Sequence, residues 1–147
     1  MQHGKNWVRG ARAGLIATGW MSLVMLIARK LAPTPKLPPR KIVEAAVDAT
    51  TEKSVAEPVI KTASVAAHFA FGAATGGIFG ELQPRMRLAA VPAGIAFGLL
   101  VWAASYKGWI PALKILPKPS RDNPARARTM LLAHIVYGAA LGSSLRR

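Results

Sequence analysis

Cysteine is absent from this 147-residue chain, which excludes disulfides, thiolate metal sites and cysteine nucleophiles. Acid is nearly as scarce: 6 Asp and Glu stand against 20 Lys and Arg, for a net charge of +14. Charged residues of either sign make up 18% of the sequence, where a soluble domain carries about a quarter. The acids that do occur form no carboxylate pair, and no phosphate loop or nucleophile–His–acid set is present. Soluble enzyme chemistry therefore has no residues to rest on.

What is present is apolar and uninterrupted. Residues 13–28, 62–80, 88–106 and 129–145 contain no Asp, Glu, Lys or Arg. At about 1.5 Å of rise per residue, each approaches the ~30 Å hydrocarbon core of a bilayer, with flanking cations snorkelling to complete the span. The expectation is an all-α polytopic membrane protein of four transmembrane helices, over 8–31, 58–82, 87–107 and 124–145. The apolar run behind Lys5, Arg9 and Arg12 is followed directly by Arg29 and Lys30, without a small-x-small cleavage site, so it reads as an uncleaved first helix.

The excess of positive charge raises the question of nucleic acid, but its placement favours the lipid bilayer as partner. Arg12, Arg29, Lys30, Arg85, Arg87, Arg146 and Arg147 bracket the apolar segments, at the height of anionic headgroups, and Arg126 and Arg128 bracket the fourth in the same way. No basic stretch is interleaved with aromatics suited to base stacking, so no nucleic-acid partner is expected.

Between the helices, residues 32–57 open on Pro33, Pro35, Pro38 and Pro39, which suit an extended segment. A short helix over 42–50 follows, with Val43 and Val47 on one face and Glu44 and Asp48 on another, placed on the membrane surface or over the bundle end. Residues 108–123 carry Trp109, Ile110, Leu113, Ile115 and Leu116 broken by prolines, the pattern of an interfacial loop.

Two stretches echo each other. Residues 67–76 read AHFAFGAATG and residues 133–142 read AHIVYGAALG. Each is a helical H-x-x-x-G-x-x-x-G. Each histidine also lies ten residues beyond a proline suited to a first helical turn, Pro58 and Pro124, the latter behind the N-cap candidate Asn123. Ala93-Gly94-Ile95 similarly echoes Ala13-Gly14-Leu15. These matches predict two tandem helical hairpins, a parallel internal repeat about an axis along the membrane normal, with both histidines at one depth. Cation density close to the membrane places the N- and C-termini in the cytoplasm.

The succession of Leu37-Pro38-Pro39-Arg40 after a first helix, His68-x-x-Phe71 in the next, a glycine-rich third helix and a histidine-containing fourth resembles the YagU-like family of bacterial inner-membrane proteins. That resemblance implies a bacterial plasma-membrane location with cytoplasmic termini. The family has no assigned molecular function and offers no catalytic residues to carry over.

His68, Gly72, Gly76 and Gly80 fall at i,i+4 steps on one helix face, and His134, Gly138 and Gly142 on another. Small residues in such rows let helix backbones approach closely, with each histidine hydrogen-bonding a carbonyl or hydroxyl. The expected role is thus structural: an accessory subunit of a larger membrane assembly, pairing with other membrane subunits or with itself, without cofactor, metal or enzymatic activity. Two alternatives use the histidines as a pair. They would be axial ligands of a b-type haem with the glycines making room for the macrocycle, or the proton-handling groups of a small transporter or channel.

Overall fold

The computed structural model describes residues 2–31, 38–50, 55–117 and 121–146, and all regular structure among them is helical. Helix α1 covers Gln2–Leu31, α2 Pro38–Thr50, α3 Glu57–Leu82, α4 Ala90–Trp102, α5 the single turn Ile110–Ala112 and α6 Pro124–Ser144. A 3₁₀ turn, Gln83–Arg85, follows α3, and a π-helical stretch, Ala103–Trp109, joins α4 to α5.

Several boundaries differ from the sequence reading for identifiable reasons. α1 begins at Gln2 rather than at 8, because no proline interrupts its polar first turns. α2 begins at Pro38, since prolines suit the opening turn of a helix. α4 begins at Ala90 rather than 87, which leaves Pro92 in the first turn, where its missing N–H has no helical partner to lose. Residues 108–112, expected as loop, continue the helix. Pro111 cannot donate to the carbonyl four residues back, at Lys107, and the chain there widens into the π turn, with Gly108 bent out of helical geometry at φ −101° and ψ −105°.

Among the described residues, three helices are long and apolar enough to cross a membrane: α1 over Gly4–Leu31, α3 with its 3₁₀ turn over Glu57–Arg85, and α4 through α5 over Ala90–Ala112. α6, the fourth segment of the sequence reading, does not reach that standard. Its position accounts for this, because α6 packs along both α1 and α4. Thr129, His134 and Tyr137 therefore face protein instead of lipid. Large apolar side chains point outward elsewhere: Leu15, Ile16, Trp20, Leu23, Leu26 and Ile27 on α1, Val65 and Ile78 on α3, Leu100 on α4.

α1 packs chiefly on α3, and α4 on α6, while α3 and α4 barely touch. Both intimate pairs meet through glycine. Gly10 and Gly14 of α1 lie against Gly76 and Gly80 of α3, and Gly94 of α4 lies against Gly138 and Gly142 of α6; a Cβ on any of these would collide with partner backbone. Between the pairs, Phe79 and Phe97 meet with ring centroids 5.1 Å apart, beside the fully buried Leu141. The guanidinium of Arg9 donates to the Arg146 carbonyl at 3.3 Å, so the start of α1 and the end of α6 share one end of the bundle. α2 packs on α3 at the other end, near where α1 stops.

Candidate functional site

At the α2 end the helices diverge around a cavity of about 270 Å³. Met21 and Met25 come from α1, His68, Phe71 and Gly72 from α3, Trp102 from α4, and Met130, His134 and Tyr137 from α6. Ser105, Tyr106 and Trp109 reach it from the π stretch, and Pro39 and Ile42 of α2 cover it. The π stretch is what aims those three side chains at a common centre. A regular α-helix turns each successive residue by about 100°, and the wider turn resets that register. Tyr106 and Ile110 also form a second apolar cluster with Leu116, against which Ile42 packs.

The two histidines both line this cavity but are held differently. His134 is buried, and its Nδ1 sits 2.8 Å from the Met130 carbonyl one turn back. His68 has no such tether. Its Nε2 is buried without a hydrogen-bond partner among the described residues, and so is the Trp102 indole N–H in the same wall. The hydroxyls nearby are satisfied. Ser105 donates to the Val101 carbonyl at 2.7 Å, and Thr18 to the Gly14 carbonyl at 2.8 Å. The Tyr137 hydroxyl donates to the Gly72 carbonyl at 2.9 Å and lies 2.8 Å from the Thr75 hydroxyl, tying α6 to α3.

Gly72 lies at the cavity edge with Thr18 against it, whereas Gly76, Gly80, Gly138 and Gly142 lie in the helix seams. Thr18 thus packs on Gly72, and Gly94 of α4 on Gly138. Among the described residues no group of three or more His, Asp or Glu could hold a metal ion.

Arg12, Arg29, Lys30, Arg85, Arg87 and Arg146 are exposed at the bundle ends, and Arg147 lies outside the described residues. Arg126 departs from the sequence reading. It is buried rather than turned to headgroups, and its guanidinium pairs with Asp122, whose side chain is fully enclosed. The Tyr106 hydroxyl and the Asn123 N–H also donate to that carboxylate. Burial works to raise the Asp122 carboxyl, but the Arg126, Tyr106 and Asn123 hydrogen bonds outweigh it and hold the group below its ordinary value. This knot anchors the π stretch to the start of α6. The i,i+4 spacing of Asp122 and Arg126 was a legible sign of it.

A family model described as "Protein of unknown function (DUF1440)" matches residues 13–142, nearly the whole helical bundle. The chain belongs to that family. In this DUF1440 member the matched region takes in the cavity, the Asp122–Arg126 pair and both glycine seams except Gly10. No curated protein and no solved structure matches the chain.

Proposed function

We propose that this DUF1440 member is a four-span protein of the bacterial inner membrane, YagU-like in build, that serves as a structural or accessory subunit of a larger membrane assembly. The observation that carries this reading is the closed packing of the bundle. Its glycines bring backbone against backbone, and its interior hydroxyls bond within the protein, leaving an apolar exterior as the surface offered to lipid and to other helices. The seating of α6 along α1 and α4 supports a fourth crossing. Two tandem hairpins, α1 with α3 and α4 with α6, are supported by corresponding contacts: Gly14 meets the Gly72 carbonyl, and Gly94 meets that of Gly138.

Cytoplasmic termini follow from Lys5, Arg9, Arg12, Arg85, Arg87 and Arg146 crowding one end. A transport path is the weaker reading, because Phe79, Phe97 and Leu141 block the bundle axis on the far side of the cavity. Purification from native membranes in a mild detergent, followed by native mass spectrometry, tests the assembly. A second membrane polypeptide in fixed stoichiometry is expected, and a 15.6 kDa chain that always flies alone overturns the subunit role. A C-terminal reporter active only in the periplasm would overturn the orientation.

A further inference from the structure

The cavity wall carries more hydrogen-bonding capacity than the protein uses. Native interiors leave few buried polar atoms unpaired, yet Trp102 Nε1 and His68 Nε2 are both unpaired among the described residues, and both rings belong to the same wall. The indole N–H can only donate, so whatever satisfies it offers an acceptor. The imidazole nitrogen donates or accepts according to its tautomer. Trp109, Phe71, Met25 and Met130 give the wall aromatic and thioether surface, beside aliphatic and hydroxyl side chains such as Ile42 and Ser105. Flat rings stack on such surfaces, and methionine sulfur adapts to ring edges.

Size narrows the class further. The volume of about 270 Å³ exceeds the roughly 150 Å³ engineered cavity that takes benzene, and falls just below the roughly 300–1,000 Å³ typical of drug-sized ligands. One or two fused rings fit. Access comes from the bilayer side: Phe71 lines the cavity and is 44% exposed on α3, which hardly touches α4. Toward the glycine end the cavity is blind.

The geometry points to a binding site for a flat, lipid-soluble carbonyl compound of one or two rings, of which the head of a quinone is the type, accepting a hydrogen bond from Trp102 and a second contact from His68. The ligand's ring lies among Trp102, Trp109 and the methionines, and its carbonyl oxygen replaces the partner that the indole lacks.

The test compares 2-methyl-1,4-naphthoquinone with 2-methylnaphthalene, the same two-ring skeleton without carbonyls, by calorimetric titration into the full chain in lipid nanodiscs, with empty nanodiscs subtracted. Saturable one-to-one binding of the naphthoquinone is expected, tighter than that of the hydrocarbon. Trp102→Phe should weaken the naphthoquinone about fivefold, the worth of one neutral hydrogen bond, and leave the hydrocarbon within about twofold. His68→Phe provides the same comparison should Trp102→Phe fail to yield monodisperse protein. Absence of saturable naphthoquinone binding overturns the proposal. So does equal affinity for the two ligands, or a loss in both variants that is the same for both.

Discussion

Where α1 begins and α6 stops, helix backbones touch, glycine on glycine, with Phe79, Phe97 and Leu141 closing the axis. Where α1 stops and α6 begins, the same helices are held apart by Met25, Trp102, Tyr106 and Met130, and a cavity opens. Residue volume along the seam decides between the two. A position with no Cβ brings its neighbour in, and a position with a large side chain holds it off. The histidines sit where one regime gives way to the other. His134 keeps a bond to its own helix while His68 keeps none, so equivalent positions in two similar stretches of sequence are unequal in their readiness to meet something else. The aromatic residues three positions on differ as well. Phe71 is half-exposed and without a hydroxyl, whereas Tyr137 is buried and bonds across to α3.

The contrast can be broken most severely in the glycine half. Gly94→Leu forces a side chain into the Gly138 carbonyl and the Gly142 backbone, and upwards of about 4 kcal/mol, or loss of the fold, is expected. Gly19, where an added methyl group would meet nothing within 4 Å, makes the control: Gly19→Ala should be neutral or stabilising by up to about 1 kcal/mol. Thermal unfolding in detergent, followed by circular dichroism, measures both.

Next in size, Asp122→Asn leaves the buried Arg126 without its counter-charge and should cost about 3 kcal/mol. Because the folded-state pKa of Asp122 lies below its ordinary value, its contribution is complete above about pH 3.9 and is lost as pH falls through the folded value. Wild-type melting temperature should therefore drop below about pH 4 more steeply than that of the variant. A variant curve parallel to wild type would show that the pair does not carry acid stability.

Smaller still, Tyr137→Phe removes the hydroxyl that joins α6 to α3 and should cost about 1 kcal/mol, with the helices otherwise intact. The smallest effect concerns the cover of the cavity. Arg40 donates to Glu44 at 2.8 Å and to Glu57 at 2.9 Å, holding α2 against the start of α3. Arg40→Gln should leave the melting temperature within error while amide exchange speeds up in α2 alone. Faster exchange in α3 as well would mean that the two helices move as one.

Much of the bundle was legible from residue type and spacing. Asn123 and Pro124 marked a helix start, and Asn123 Oδ1 indeed accepts from the N–H groups of Ala125 and Arg126, at 2.9 and 3.3 Å. The uncharged runs marked the long helices, and the glycine rows marked faces suited to close approach. The cavity was not legible, because it depends on the π turn. That turn is a backbone event with a weak signature: one glycine at 108 and a proline at 111 that withholds a hydrogen bond. Trp102, Tyr106 and Tyr137 escaped notice for a related reason. An aromatic side chain in an apolar helix looks the same in sequence whether it faces lipid, core or cavity. Arg126 read as a lipid-facing cation because the i,i+4 spacing to Asp122 marks a pair without marking that the pair is enclosed.

The widened turn at 103–109 has a consequence for how such a molecule changes over time. Loss of one residue within it would restore the ordinary register and swing the remaining side chains by about 100° away from the centre. The pocket would then vanish while the glycine seams stayed as they are. The interior compartment thus hangs on a single widened turn, separate from the glycine frame that surrounds it.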